Sequence, residues 1–324
     1  MMKQRQYCRD IVIGSTLESQ TFVIKDVADC GGRDVRLLLS DSSGELMSSC
    51  TREQYEPSLF VKGAVLKVAG IVVADGIRPF LRIKKVEIAT EYNPVELYNG
   101  LTPQQEQLHK TNIKNMLCEN YITHEAYLVL CKTLLCDSVL DKLAVLPATL
   151  SWYGKYAGGA LCSTATVATM VGGMASAYQN SLNPYCDGRG FDCSRLYAAA
   201  LLRHCAMPYY IENIPPFRRN NVLVDYPTLL RDVLVSTVRD NCINLSVEEV
   251  DILWADMVCS MNERGYSKPF DKEGVILRTA VFAYAECDML DYAVSQLGTG
   301  YEGNHAWDKE LGRYLYLPKN KEVM

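Results

Sequence analysis

Short apolar runs separated by turn-forming residues fill the first hundred positions of the chain. The runs are rich in Val, Ile and Leu, and clusters of Gly, Asp and Ser lie between them, which is typical of β-strands joined by tight turns. Five such runs within about seventy residues indicate a small closed barrel. The predicted strands are Thr21 to Val27, Asp34 to Leu39, Glu45 to Thr51, Ala64 to Ala74 and Pro79 to Ile88.

The segment between the third and fourth predicted strands helps to define the type of barrel. Its sequence, REQYEPSLFVKG, lies where a five-stranded barrel of the OB type has its connecting helix or loop. The order of the strands therefore predicts an OB-type barrel over residues 15–92, with residues 1–14 as an N-terminal extension.

Beyond residue 92, apolar residues recur every three or four positions, which is the period of amphipathic helices. Ser246 followed by Glu249 has the spacing of a helix capping box. We expect a linker and helix over residues 93–120 and an all-α domain over residues 121–324, so the predicted fold class is α+β multidomain. The predicted helices are Pro103 to Asn120, Thr123 to Cys136, Gly159 to Gln179, Cys193 to Cys205, Pro227 to Asn241, Val247 to Arg264 and Lys272 to Leu297.

Composition limits the class of protein. With 48% hydrophobic and 22% charged residues among 324, the chain is not expected to be disordered or of low complexity. Its net charge of -5 means that a nucleic acid would have to bind a local basic face. The 13 cysteines form no CxxC pair, the first residues are polar, and no long apolar run is visible. We therefore expect a cytoplasmic protein without a membrane partner.

The last predicted strand alternates, with Phe80, Arg82 and Lys84 on one face and Leu81 and Ile83 on the other. An aromatic ring beside cations suits single-stranded RNA or DNA, because bases stack on the ring and phosphates pair with the charges. The alternative is that the phenylalanines close the barrel core while the cations are only solvated. The predicted nucleic-acid-binding residues, including those on neighbouring strands, are Phe22, Lys25, Arg36, Phe80, Arg82 and Lys84.

Stretches from both parts of the chain resemble one known family. In the barrel they are FVIKDVADCGGRDVRLLLSDSSGEL, FVKGAVLKVAGIV and RPFLRIKKVEIAT, and in the helical part LPATLSWYGKYAGGALCSTATVATMV and ELGRYLYLP. Together they resemble the YhaM family of bacterial 3'-5' exoribonucleases, which join an OB-fold to an HD-type phosphohydrolase domain. The resemblance implies an HD-like helical domain, whose metal ions in the family would activate water and polarise a phosphate.

The positions at which the family has its metal ligands are replaced in this chain. By this resemblance, the family has a lone His, a His-Asp pair and three further His at these positions. The residues present in this chain are Ser163, Arg203, His204, Asp256, Met261 and Asn262. Arg203 cannot ligate a cation because its guanidinium is always protonated. Asp288 keeps its expected identity, and with His204 it is the candidate catalytic remnant. The resemblance thus implies a metal-free pseudoenzyme without a cofactor or catalytic residues.

The same replacements suggest that the old metal site attracts anions. Arg203 and His204 would face it together with Arg218 and Arg219 from the loop PPFRRNN, although such a loop is more often only solvated. Cys162 and Cys205 flank the replaced positions, and we interpret them as buried, inert thiols.

Two other functions stay open. One is an active 3'-5' exonuclease or phosphohydrolase that uses Mn or Mg held by rearranged ligands, drawn from Asp288, Asp291, His204 and Asp256. The other is a structural or regulatory subunit whose domains contact proteins, including copies of itself. A single-stranded nucleic-acid-binding protein is the hypothesis that the sequence favours over both.

Overall fold

The structure is a computed structural model of the chain. It describes residues 6–29, 31–61, 63–76, 78–92, 97, 100–150, 152–180, 192–211, 219–220, 223–261, 268–295, 305–308 and 311–316. The described residues up to Gly100 form one unit, and those from Leu101 to Ser295 form a second that also includes the last described segment.

The first unit is a closed five-stranded barrel. Its strands follow one another around the barrel in the order β1, β2, β3, β5, β4, and β1 pairs with β4 to close it. Neighbouring strands are antiparallel except β3 and β5, which are parallel. This topology confirms the predicted OB type. The strands are β1 (Thr16–Ala28), β2 (Asp34–Asp41), β3 (Gly44–Thr51), β4 (Val65–Asp75) and β5 (Arg78–Ile88).

The barrel core includes parts of the chain that the sequence placed outside it. Cys8 and Ile11 are buried in this core, and the backbone N–H of Cys8 donates to Asp41 Oδ2 at 2.8 Å. The described part of the N-terminal segment therefore packs onto the barrel. Tyr55 and Phe60 in the connection between β3 and β4 meet edge to face at 5.5 Å, and Phe60 is buried in the core.

The first strand is longer than predicted because it contains irregularities. Its pairing with β4 shifts register between Leu17 and Gln20, and Ser19 between them has a positive φ of 59°. A bulge of this kind changes the alternation of inward and outward side chains. Simple alternation therefore could not give the start of this strand.

The second unit is helical, as predicted, and the helix predicted over Gly159 to Gln179 has the expected bounds. The capping box is also present, since Ser246 Oγ accepts from the N–H of Glu249 and Glu249 Oε2 accepts from the N–H of Ser246. The helices are α1 (Pro103–Met116), α2 (Glu125–Leu134), α3 (Asp137–Leu143), α4 (Gly159–Gln179), α5 (Cys193–Leu202), α6 (Met207–Tyr210), α7 (Tyr226–Asp240), α8 (Val247–Cys259) and α9 (Lys272–Ser295).

The prediction that this unit is all-α was incomplete. Two short strands, β6 (His305–Asp308) and β7 (Arg313–Tyr316), form an antiparallel hairpin near its end. Gly312 precedes β7 with a positive φ of 62°, a conformation that glycine adopts at little cost. The short helices α3 and α6 were also not predicted.

Helix α4 lies in the middle of the helical core. By length and composition alone it could cross a membrane, and it is the helix in the described part of the chain that meets this test. Ten of its residues are buried, and it packs against α1, α5 and α9. Its apolar character is therefore accounted for by packing inside this unit.

Candidate functional site

Two rows of side chains cross the outer wall of the barrel. In the first, Arg36 on β2 pairs with Ser49 on β3, and Ser49 pairs with Arg82 on β5. We call these three residues the basic row. The second, apolar row consists of the next paired positions along the same strands and continues onto β4; its members are Leu38, Met47, Phe80 and Val73.

The outer wall presents both charge and apolar surface to solvent. Arg36 and Arg82 are exposed, and neither makes an ion pair within the described part of the chain. Met47 is 40% exposed, and Phe80 is half-buried beside it. Adjacent strands lie about 4.8 Å apart, and only β3 lies between the strands that carry Arg36 and Arg82. The Phe80 ring therefore lies within a side chain's reach of both guanidinium groups.

Lys84 and Lys25 differ in how they are held. Lys84 is exposed on β5, where its backbone carbonyl accepts from Gln54 Nε2 at 2.7 Å. Lys25 is exposed at a register shift in β1, and its ammonium is ion-paired with Glu45 on β3. The negative charge of Glu45 opposes the attraction of Lys25 for a phosphate.

The expected stacking role of Phe22 was wrong. Its side chain is fully buried in the barrel core, where no base can reach it. The alternation of a strand already places Phe22 and Lys25 on opposite faces, because they are three positions apart. The same rule applied to β3 would have found Met47 and Ser49, which sequence reasoning missed.

A buried arginine is the central feature of the helical unit. Arg203 is only 1% exposed at the C-terminal end of α5. Its Nη1 donates to the hydroxyl of Tyr153 at 2.6 Å and its Nη2 to Ser163 Oγ on α4 at 2.7 Å. The hydroxyl of Tyr226 donates to the carbonyl of Arg203 at 2.8 Å. Both hydrogen-bond partners of this guanidinium in the described part of the chain are therefore neutral hydroxyls.

His204 lies next to this group and is also buried, with 4% exposure. Its Nε2 lies 3.4 Å from Ser163 Oγ. Burial and the neighbouring Arg203 charge hold the pKa of His204 well below its usual value, so the ring is neutral at physiological pH. Arg203 Nε and His204 Nδ1 are both buried without a hydrogen-bond partner.

These two residues line a cavity of about 190 Å³. Arg219, also predicted for an anion site, lines it with its guanidinium 5.4 Å from the ring centre of Tyr210. Met261 contributes to the same wall. Three of the positions marked by the family resemblance therefore meet at this cavity and a fourth, Ser163, contacts its arginine. Arg218 and Asn262 lie outside the described residues.

Asp256 belongs to a different cluster. It is buried on α8, and its Oδ2 lies 3.0 Å from Arg195 Nε, without the alignment of a hydrogen bond. Arg195 also contacts Asp271 and Glu273, at 2.5 and 3.3 Å. Burial raises the pKa of Asp256 to about 8, although the positive charge of Arg195 opposes this change.

The structure does not bring together the residues of the alternative metal site. Asp288 Oδ2 accepts from the backbone N–H of Gly154 at 2.8 Å, Asp291 is exposed, and Asp256 contacts Arg195. Within the described ranges, no three His, Cys, Asp or Glu side chains are arranged to hold a metal ion. The observed contact instead gives Asp288 a structural role in holding the loop before α4.

Cys162 differs from the other described thiols near α4. Burial raises the pKa of its thiol, but hydrogen bonding from His109, Tyr284 and Tyr156 outweighs this and lowers it to about 7. Cys205, by contrast, is fully buried, as expected for an inert thiol, and burial raises its pKa to about 12. The expected full burial of Cys162 was wrong, because this side chain is partly exposed, and the lowered pKa predicts a reactive thiol.

Several solved structures are remotely similar to this chain. No protein-family model and no curated protein matches the chain. A replication protein A heterotrimer bound to ssDNA is 15% identical, with a TM-score of 0.22 over 27% of this chain and 66% of that one. Asparaginyl-tRNA synthetase from Pyrococcus horikoshii is 16% identical, with a TM-score of 0.24 over 42% of this chain and 36% of that one.

Aspartyl-tRNA synthetase from Entamoeba histolytica is 11% identical, with a TM-score of 0.23 over 55% of this chain and 37% of that one. These alignments cover little more than a third of each of the two synthetase chains and just under two thirds of the replication protein A chain. TM-scores below 0.5 decide nothing about function, so the barrel is assigned to the OB class by its own strand order.

Proposed function

We propose that this protein binds single-stranded nucleic acid on the outer wall of its barrel. The observation that supports this proposal is the placement of the basic row beside the apolar row on β2, β3 and β5. Exposed guanidinium groups attract phosphates, and Phe80 and Met47 offer apolar surface on which a base can stack. The charge is local, because the chain as a whole carries -5.

In this proposal the helical unit is an HD-like domain that has lost its metal chemistry. The family resemblance and the replacement of its ligand positions support this part. An arginine at the centre of the site repels a divalent cation, and Asp256 and Asp288 already contact other groups. The protein then holds RNA or DNA without shortening it, and its cytoplasmic location stays a prediction.

Binding can be measured by fluorescence anisotropy with a labelled single strand of about 12 nucleotides, within the site size of an OB-fold. Phe80→Ala is expected to weaken binding about tenfold, because stacking of one base contributes about 1–3 kcal/mol. Arg82→Gln is expected to weaken it and to reduce the slope of log affinity against log salt by about 0.7.

The matched control is Lys85→Gln. Lys85 lies on the same strand, but it is ion-paired with Glu87 at 2.6 Å and outside both rows. Its substitution should change affinity less than Arg82→Gln does. Equal losses of affinity in Lys85→Gln and Arg82→Gln would show that net charge, and not the outer wall, determines binding. If the wild-type protein does not bind nucleic acid at all, a role in protein contacts is favoured.

The same mixture tests the enzymatic alternative. With Mn²⁺ added, the length of the strand is followed on a gel, and we expect no shortening. Shortening that Asp288→Asn abolishes would overturn the loss of activity while leaving binding by the barrel intact.

A further inference from the structure

The helical unit contains a positive charge that no carboxylate neutralises. Arg203 is almost completely buried, and no ion pair joins it to an acidic side chain in the described part of the chain. A guanidinium stays protonated at any physiological pH. Burying a charge without an opposite charge costs desolvation free energy, and hydrogen bonds to neutral hydroxyls offset only part of it.

Two residues that line the cavity carry buried polar atoms without a partner. Arg203 Nε and His204 Nδ1 are buried without a partner, and both residues border the space of about 190 Å³. Of the five N–H groups of an arginine, two are used by Tyr153 and Ser163. The remaining donors can hold two oxygens of one planar or tetrahedral anionic group.

The rest of the cavity is not shaped for a bare ion. A water molecule takes about 30 Å³ in the liquid, so the space holds a group several times larger. Its walls include the rings of Trp152 and Tyr153, which meet edge to face at 4.9 Å, and those of Tyr210 and Tyr226 at 5.3 Å. Flat aromatic walls favour a flat ligand.

A second cation stands at the exposed side of the cavity. Arg219 is exposed, and its guanidinium packs over Tyr210. Its backbone is fixed by a bridge to Ile211 and by the N–H of Asn220, which donates to the carbonyl of Tyr210 at 2.9 Å. An approaching anion therefore meets a positive charge at the entrance and another inside.

We propose that this cavity binds a small aromatic oxyanion, a carboxylate or phosphate monoester on a planar ring, with the anionic group on Arg203 and the ring among the tyrosines. This site is separate from the nucleic-acid-binding wall and does not depend on it. Arg203 and His204 would bind the oxygens, and Arg219 would draw the ligand in.

Calorimetric titration of the full-length protein tests the proposal with matched ligands. Benzoate and phenyl phosphate represent the two anionic groups, benzyl alcohol the ring without charge, and inorganic phosphate the charge without a ring. We expect at least one aromatic anion to bind about tenfold more tightly than either benzyl alcohol or inorganic phosphate. Equal affinity for inorganic phosphate would overturn the aromatic part, and no binding of any anion would overturn the whole.

Arg203→Gln is the decisive variant, because it removes the charge and keeps a donor for Tyr153 or Ser163. It should weaken anion binding about tenfold or more, leave the melting temperature without ligand unchanged or higher, and leave RNA binding unchanged. A lower melting temperature together with unchanged anion binding would assign Arg203 a purely structural role.

Two further variants keep the test valid if Arg203→Gln does not fold. Arg203→Lys retains the charge but loses the paired donors, so it should also weaken binding. Arg231→Gln, on the surface pair with Asp251, is the matched control and should leave binding unchanged. Equal weakening by both variants would contradict the proposal.

Discussion

The barrel wall and the helical cavity both present arginines, but in opposite environments. Arg36 and Arg82 are exposed to solvent on the outer wall of the barrel, whereas Arg203 is buried and hydrogen-bonded to hydroxyls. An exposed charge costs little to hold, but salt weakens its attraction for a ligand. A buried charge is costly to hold, and salt screens it much less. The two regions should therefore bind anions with different salt dependence.

The largest expected effects come from two glycine substitutions that break one region each. A Cβ at Gly70 would lie 2.2 Å from the carbonyl of Arg82, and a Cβ at Gly159 would lie 2.1 Å from that of Gly154. Each Gly→Ala change should destabilise its own unit by about 3 kcal/mol, because backbone atoms must move.

The two units can be followed separately, because all three tryptophans, at 152, 254 and 307, lie in the helical unit. Gly70→Ala should reduce RNA binding and leave the tryptophan melting curve unchanged. Gly159→Ala should shift the tryptophan melting curve to lower temperature and leave RNA binding unchanged. Gly32→Ala and Gly173→Ala, where a Cβ meets no atom within 4 Å, are the controls. One common transition in all variants would show that the units unfold together.

The second-largest expected effect is a change in the stability of the helical unit with pH. The pKa of Asp256 is raised by burial to about 8, above its ordinary value of 3.8. Between these values the folded state retains a proton that the unfolded state has lost, so this group makes stability fall as pH rises from about 4 to 8. Asp256→Asn should remove this dependence and stabilise the unit at pH 8.5 by about 2 kcal/mol.

Denaturant unfolding followed by tryptophan fluorescence at pH 6 and pH 8.5 measures this difference. Asp251→Asn changes an acidic residue of the same helix that is partly exposed and paired with Arg231. It should leave the pH dependence unchanged. A wild-type protein equally stable at the two pH values would contradict a buried, protonated Asp256.

A third comparison uses one thiol from each unit. Burial raises the pKa of Cys50 in the barrel to about 11. Cys162 has a pKa of about 7, because hydrogen bonds from His109 and two tyrosines outweigh the effect of burial. At pH 7 iodoacetamide should therefore modify Cys162 far faster than Cys50, since the thiolate is the reactive form.

His109→Ala should slow the alkylation of Cys162 about fivefold at pH 7, because a rise of about one unit in its pKa lowers the thiolate fraction from about one half to about one tenth. Mass spectrometry of the peptides resolves each cysteine, and Gln107→Ala on the same helix is the control. An unchanged rate in His109→Ala would mean that His109 does not stabilise the thiolate.

The smallest effect concerns the outer wall. Glu45→Gln removes one ion-pair partner of Lys25 and should raise affinity for single-stranded RNA about twofold, because surface ion pairs are worth less than about 1 kcal/mol. Glu87→Gln makes the same change of net charge and removes an ion-pair partner of Lys85 instead. Anisotropy should show a smaller gain for Glu87→Gln, and equal gains would mean that only net charge matters.

Local patterns were sufficient to predict much of the fold. The alternation of Phe80, Leu81 and Arg82 gave the two faces of β5, and the run from Gly159 to Gln179 gave α4. Both depend only on neighbours in the chain. The hairpin β6–β7 is short and follows a long helix, so its four-residue strands were too brief to stand out.

The candidate sites were predictable only in part. Phe22 was assigned to the wrong face, because outward position was inferred from residue type and not from its spacing to Lys25. The partners of Arg203 are 40 and 50 residues away along the chain, at Ser163 and Tyr153. No local pattern records such a contact. The resemblance marked Arg203 and Ser163, but only the fold shows that hydroxyls surround the charge.

The parallel pairing of β3 with β5 also affects how the barrel folds. It joins three register pairs, Met47 with Phe80, Ser48 with Leu81 and Ser49 with Arg82, between strands far apart in sequence. Such contacts form late, because a long loop must close first. Two of these pairs belong to the rows of the outer wall, which therefore exists only once this seam has closed. A single-stranded nucleic acid bound across the pairing of β3 with β5 would hold these two strands together. Bound nucleic acid should therefore slow the opening of the barrel and its cleavage by proteases.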